Sequence, residues 1–167
     1  YHHHKDGSVF PVELTASTFE LRGRSIIIAT ARDITDRWRR EYALRENQAQ
    51  LKEAHRLARI GIWDWTVDTD TVMWSEELYD IAGRDKQLPA PSYREHPDIY
   101  APESWDLLRS AVERALISGE PYQFELKLIR PDGTTRWVNA FGGRKCDSTQ
   151  RVLGLHGTVQ DISERKR

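Results

Sequence analysis

One short phrase occurs in two nearly identical versions, and each version follows the pattern of a β-hairpin. TARDITDRWR begins at Thr30, and TVQDISERKR begins at Thr158. An Asp-Gly pair precedes each phrase, at Asp6-Gly7 and at Asp132-Gly133, and Asp-Gly between stretches of β-branched and aromatic residues is a tight-turn signal. The chain therefore holds two copies of one strand-turn-strand unit, and these copies constrain where any sheet can lie.

The second copy has a longer run of predicted strands than the first. Hydrophobic alternation predicts strands over 121–130, 134–145 and 151–160 in the second copy, but only over 8–21 and 24–34 in the first. In the first hairpin the alternating residues Phe10, Val12, Leu14, Ile26 and Ile28 are expected on one face, and that face needs a cover.

Helices are predicted between the two hairpins. No Gly or Pro occurs from Asp33 to Ile60, so we expect one long helix capped by Thr35 and ended by Gly61. Two short aromatic strands, a short helix and a proline-rich loop follow, and an amphipathic helix then runs from Pro102 to Gly119. This order predicts an α+β fold, with a five-stranded antiparallel sheet and helices on one of its faces.

Three segments carry a resemblance to a known family. GIWDWTVDTDTVMWSEELYDIAG, GEPYQFELKLIRPDGTTRWV and VLGLHGTVQDISERK stand in the order and spacing of a PAS domain, the sensory box of bacterial signalling proteins. KDGSVFPVE and ARDITDR similarly resemble the last strands of a preceding PAS domain. The resemblance implies four parts: a hairpin of a truncated upstream domain (1–34), a linker helix (35–59), a PAS domain (60–163) and the start of an exit helix (164–167).

The repeated phrase marks the signal junctions of such a family. In PAS domains the aspartate of Asp-Ile-Thr ties the last strand to the emerging helix, and Asp33 and Asp161 match it. Thr35 and Ser163 follow as residue types that cap helices. A plain capping signature without a signalling role stays open as the alternative.

Composition excludes several classes of partner. Lys and Arg number 25 against 26 acidic residues, so no basic surface for nucleic acid is expected. The longest apolar run, SIIIATA, is far too short to span a bilayer, and the single cysteine cannot form an internal disulfide. We expect a cytoplasmic module without direct membrane contact.

No catalytic or metal-binding set is predicted. Flavin photosensors of this fold use a cysteine on a central helix, whereas Cys146 follows a strand. Haem-binding relatives use a histidine on the central helix, and residues 103–119 contain no histidine. His96 precedes that helix, at a position where the family often has a His-Pro pair without haem. Of the first histidines, only His2 and His4 could share a strand face. The resemblance thus implies neither haem nor flavin.

An aromatic set is expected around the space between sheet and helices. Its candidates are Trp63, Trp65, Trp74, Tyr79, Tyr100, Phe124, Trp137 and His156. A small organic ligand and a core filled by side chains both stay open, and His156 is either a ligand-reading donor or a residue bonded to a backbone carbonyl.

The resemblance implies a regulatory role. We expect a sensor and dimerisation module of a two-component histidine kinase, which relays a ligand or partner state through its flanking helices to a covalently linked output domain. Leu44, Leu51 and Ala58 recur at sevens, which favours a homodimer through the linker helix and the first hairpin. Asn47 interrupts the partner positions, so a helix that is solvated on most sides and packs its last turns onto the following domain stays open as the alternative. A diguanylate cyclase or phosphodiesterase parent, and a ligandless dimerisation scaffold, are the alternatives.

Overall fold

The structure is a computed structural model that describes residues 1–166. The chain divides into two compact units, of which the first comprises Tyr1–Lys52 and the second begins at Glu53.

The first unit is built on a long β-hairpin. Two short strands, β1 (His2–His3) and β2 (Val9–Phe10), pair with each other, and β3 (Val12–Leu21) pairs with β4 (Arg24–Asp33). Arg22 and Gly23 form the tight turn with φ of 50° and 71°, the left-handed pair that matches the twist of a two-residue hairpin loop.

The register of this hairpin divides the apolar residues that were expected on one face. Leu14 lies opposite Ala31, whereas Ile28 lies opposite Ser17 and Ile26 opposite Phe19. Directly paired residues share a face, so the face of Leu14 is opposite to the face of Ile26 and Ile28. The expectation of a single apolar face is wrong, because the two strands pair one residue out of the assumed register.

Helix α1 (Thr35–Leu57) ends before the glycine that was expected to stop it. Arg59 adopts φ of 50°, the left-handed conformation that ends the helix. Gly61 instead belongs to the next strand, where a Cβ would lie 2.5 Å from the Cβ of Leu78. The expectation that Gly61 ends the helix is therefore wrong, and this glycine instead permits the close approach of Leu78.

The second unit contains the predicted five-stranded antiparallel sheet. Its elements are β5 (Ile60–Thr66), β6 (Thr71–Trp74), α2 (Glu76–Ala82), a 3₁₀ helix (Tyr93–Asp98), α3 (Pro102–Ser118), β7 (Tyr122–Ile129), β8 (Thr135–Cys146) and β9 (Val152–Asp161). The strand order is β6-β5-β9-β8-β7. The predicted α+β fold is confirmed, with β5 and β9 side by side in the middle of the sheet.

One face of this sheet packs against α3. Leu126, Val138 and Leu155 are fully buried on the sheet, and Leu108 and Val112 are buried on the helix. The helical residues are four apart and therefore share one side of α3. Burying each large side chain stabilises the fold by about 1.5–3 kcal/mol.

The chain leaves the sheet through a single turn. The N–H of Arg165 donates to the carbonyl of Ile162 at 3.0 Å, and that of Lys166 to the same carbonyl at 3.2 Å. The predicted start of an exit helix at 164–167 falls on this turn and on Arg167, which lies outside the described residues.

Candidate functional site

The first repeat of the phrase forms an aspartate cap. Asp33 Oδ1 accepts a hydrogen bond from the N–H of Thr35 at 2.8 Å, and hydrogen bonding by Thr35 holds the pKa of Asp33 below its usual value. Thr35 is itself the first residue of α1. The aspartate, and not the threonine that was expected to cap, therefore satisfies the N–H at this helix start.

The second repeat has the same geometry in a more buried place. Asp161 Oδ1 accepts a hydrogen bond from the N–H of Ser163 at 2.9 Å. Its Oδ2 lies 3.8 Å from Arg136 Nε, and only 10% of the Asp161 side chain is exposed. The Ser163 hydroxyl accepts from the N–H of Trp137 at 3.0 Å. Asp161 and Ser163 thus hold the exit turn against β8.

The incoming helix ends against this exit turn. The N–H of Asp161 donates to the Arg59 carbonyl at 3.1 Å, Arg59 forms an ion pair with Glu164 at 2.7 Å, and the Gln160 side chain donates to the Ala58 carbonyl at 3.3 Å. We call these three contacts the junction clamp. They follow from the sheet, in which Ile60 lies opposite Gln160.

A cavity of about 40 Å³ lies between the sheet and α3. Four of the predicted pocket residues line it: Trp63, Trp65, Trp74 and Tyr100. A water needs about 10–15 Å³ of such space, so the cavity has room for about three waters. A ligand of ordinary drug size would require the walls to move.

The other four candidates lie elsewhere. The Tyr79 hydroxyl donates to the Leu88 carbonyl at 3.0 Å, and Phe124 stacks on Tyr122 beside the core. Trp137 is 39% exposed, with the Lys166 ammonium 5.3 Å from its ring centre. His156 is exposed on the outer face of the sheet, between Asp64 and Gly143.

Three polar residues of the cavity wall were not predicted: Tyr93, His96 and Tyr122. Tyr93 and His96 lie on the 3₁₀ helix, in the proline-rich stretch that the sequence marks as loop. Tyr122 shares its strand face with Phe124, two residues on, so period-two alternation could have identified it.

Asp70 fastens the 3₁₀ helix over the cavity. Its Oδ1 accepts hydrogen bonds from Trp65 Nε1 and from the N–H of Tyr93, each at 3.0 Å. Trp65 and Tyr93 also stack, with ring centres 4.5 Å apart. One carboxylate therefore sets the position of two rings of the wall.

The ionisable groups of the wall are held neutral by burial. Burial raises the pKa of Tyr100 to about 12 and, with nearby Glu113, that of Tyr93 to about 12. Burial also lowers the pKa of His96. No Asp, Glu, Lys or Arg of residues 1–166 lines this cavity.

Within residues 1–166, no three His, Cys, Asp or Glu side chains lie together in a way that could hold a metal ion. Cys146 stands partly exposed at the end of β8, away from the cavity wall. No helix in the described chain is both long and apolar enough to cross a bilayer.

Comparison with known proteins identifies both repeats. The sequence pattern of the PAS fold family matches residues 71–159, and a second pattern, of the PAS domain, matches residues 1–36. The chain is 29% identical over 147 residues to the uncharacterized protein y4lL of Sinorhizobium fredii, covering 82% of this chain and 16% of that protein. It is 24% identical over 107 residues to the sensor protein FixL of Bradyrhizobium diazoefficiens, covering 64% of this chain and 21% of that protein.

Among solved structures, a sensory box histidine kinase/response regulator from Burkholderia thailandensis superposes with a TM-score of 0.59 at 23% identity, covering 71% of this chain and 88% of that one. This likeness concerns the fold. The chain spans about a sixth to a fifth of the length of the two curated relatives.

Proposed function

Since this chain belongs to the PAS family, a family of sensory modules, we propose that it regulates an output domain through its exit turn. The junction clamp carries this proposal. It joins the last residues before β5 to the residues that leave β9, so a displacement on one side changes contacts on the other. The chain itself acts by binding and by conformational change, and not by catalysis.

The relay works by shifting a balance between two arrangements of the exit turn. In one arrangement Asp161 keeps its bond to the Arg59 carbonyl, and in the other this bond is open. A ligand or an incoming helix shifts such a balance only by the difference in free energy with which it favours the two states. The contacts of the clamp are few and partly exposed, which suits an equilibrium between states of similar free energy.

We propose that the module belongs to a bacterial two-component sensor histidine kinase and that it lies in the cytoplasmic part of that protein. A relative named as a sensor protein and the fold of a sensory box histidine kinase support this placement. A diguanylate cyclase or phosphodiesterase would use the same exit, and measuring the phosphotransfer and cyclic dinucleotide products of the full-length protein separates the two.

The module acts as a homodimer in this proposal. Leu44 and Leu51 lie seven residues apart on α1, and their side chains are 58% and 59% exposed. In a second copy of the chain the same two leucines would give such a helix an apolar contact. Ala58, the third residue of the expected series, lies beyond α1, which ends at Leu57. A ligandless scaffold would share the dimer, but it would not respond to occupancy of the cavity.

Charge exchange at the clamp tests the relay. Arg59→Glu or Glu164→Arg alone should speed hydrogen exchange of the Asp161 N–H about twofold to fivefold, because an exposed ion pair contributes up to about 1 kcal/mol. The double exchange should restore the slow rate. In the full-length protein, the activity of the output domain should change in each single variant and return to its original level in the double variant.

Arg151 and Asp68 supply the matched control. They form an ion pair at 3.1 Å, also exposed, between the residue before β9 and the turn after β5. If exchanging their charges alters the Asp161 N–H and the output as much as the clamp exchange does, the relay through the clamp is refuted.

A further inference from the structure

The two copies of the repeated phrase leave their hairpins through the same backbone hydrogen bond. The N–H of Ile34 donates to the carbonyl oxygen of Pro11 at 3.1 Å, and the N–H of Ile162 donates to that of Trp137 at 2.9 Å. Each donor follows the junction aspartate, and each acceptor precedes the strand residue that pairs with this aspartate. Pro11 and Trp137 are therefore equivalent positions of the two copies.

The two junctions differ in one other hydrogen bond. At the second junction, the hydroxyl oxygen of Ser163 accepts from the N–H of Trp137 at 3.0 Å. Thr35 holds the position of Ser163 in the first copy, but proline has no N–H to donate. The hydroxyl oxygen of Thr35 is buried, and among residues 1–166 it has no hydrogen-bond partner. Pro11 thus removes the donor that the equivalent hydroxyl uses.

A different aspartate cap does not replace the missing bond. The carboxylates of Asp33 and Asp161 each accept from the N–H two residues further on, at 2.8 Å and 2.9 Å. These two caps are alike, whereas the residue before the strand is a proline in one copy and a tryptophan in the other.

A buried acceptor without a donor weakens the contact that buries it. When the first turn of α1 moves away from β3, water reaches the Thr35 oxygen and supplies the missing hydrogen bond. When the exit turn moves away from β8, the existing bond between Ser163 and Trp137 has to break. The open population of the first junction should therefore be larger, by about fivefold to a hundredfold for one buried acceptor.

We propose that the two junctions form an unequal pair, in which the first opens more readily than the second because Pro11 leaves the Thr35 hydroxyl without a donor. This inference rests on the proposed relay for its role in signalling. There it makes the first turn of α1 the yielding point of the module, while Ser163 keeps the exit turn attached to β8.

Removing the hydroxyl should have opposite effects at the two junctions. Thr35→Val deletes a buried oxygen that has no donor, so the Ile34 N–H should exchange with solvent about fivefold more slowly or slower still. Ser163→Ala deletes an acceptor in use, so the Ile162 N–H should exchange about fivefold faster. NMR of the whole chain measures both rates, and each substituted residue follows the observed N–H, so its intrinsic exchange rate is unaltered.

Pro11→Ala supplies the missing donor and should also slow exchange of the Ile34 N–H by about fivefold or more. Loss of the proline ring works against this result, because it frees the unfolded chain. In the Pro11→Ala background, Thr35→Val should reverse its effect and speed the exchange, since the new N–H at position 11 then loses its acceptor.

Faster exchange of the Ile34 N–H in Thr35→Val would show that the Thr35 hydroxyl has a partner, and would overturn the inference. An unchanged rate in Pro11→Ala would overturn it as well. If this exchange is too fast to follow, the ¹³Cα shifts of Asp36 and Arg37 decide, because they report how much of the first turn of α1 is helical. The relay is tested separately, since the Asp161 N–H reports on the junction clamp and the Ile34 N–H does not.

Discussion

The N–H of Asp161 donates to the carbonyl oxygen of Arg59 at 3.1 Å. Arg59 is the residue before β5 and Asp161 is the last residue of β9, so their contact is the final rung of the central strand pair. The sheet order therefore brings the incoming and outgoing segments together by its topology. In the proposed relay, a displacement of the incoming helix acts on this turn.

Gly61→Ala should destabilise the second unit by about 1–3 kcal/mol, because the new Cβ would lie 2.5 Å from the Leu78 Cβ and 2.7 Å from its Cα. Urea denaturation followed by tryptophan fluorescence measures the change. Gly143→Ala is the matched control, since nothing lies within 4 Å of its added Cβ. Equal midpoints for the two variants would contradict the close approach of α2 to β5.

Asp161→Ala should destabilise the unit by about 0.5–2 kcal/mol, since the N–H of Ser163 loses its acceptor. Asp161→Asn should cost less, because the amide oxygen can still accept that hydrogen bond. Asp132→Ala is the comparison: Asp132 makes the same bond to the N–H of Thr134 at 2.8 Å, but on an exposed turn. The hydrogen-exchange rate of the Ser163 N–H should rise only in the Asp161 variants. A rise of the Ser163 rate in Asp132→Ala would argue against a local cap.

Local signals in the sequence determined the strands well. The Asp-Gly turn and the alternation of buried residues placed β7, β8 and β9 close to their observed bounds, because turn chemistry and period-two burial act over a few residues. The end of α1 was not predicted correctly, because Arg59 adopts a left-handed conformation that is not expected of an arginine.

Placement of the site depends on information that is not local. Trp137 and His156 lie on the outer face because strand register, and not residue type, decides which face a side chain occupies. His96 lines the cavity on a 3₁₀ helix that Asp70, 23 residues before Tyr93, helps to hold in place. A proline-rich stretch gives no periodicity from which this could be read.

Leu51→Lys should shift the chain from dimer to monomer if the homodimer forms through α1, because a charge would enter the apolar seam. Light scattering after size-exclusion chromatography measures the mass. Ala49→Lys, on the opposite side of α1 from Leu44 and Leu51, is the control for added charge on the same helix. The proposed helix interface fails if the unaltered chain is monomeric, or if both variants remain dimeric.

Tyr100 should make the second unit sensitive to alkali. Its folded-state pKa of about 12 lies above the ordinary value of about 10 for an exposed tyrosine. The folded state therefore keeps a proton that the unfolded state loses, and stability falls as the pH rises from about 10 towards 12. At about 1.4 kcal/mol per pKa unit, the full loss attributable to Tyr100 is about 3 kcal/mol.

Tyr100→Phe should flatten this decline, measured by urea denaturation at pH 8 to 12, whereas Tyr42→Phe on the exposed surface of α1 should leave it unchanged. Tyr93 contributes with the same sign, because its pKa is also raised to about 12, so part of the decline should remain in Tyr100→Phe. An identical decline in the unaltered chain and in Tyr100→Phe would show that the Tyr100 hydroxyl reaches solvent, and the cavity would then be open at that wall.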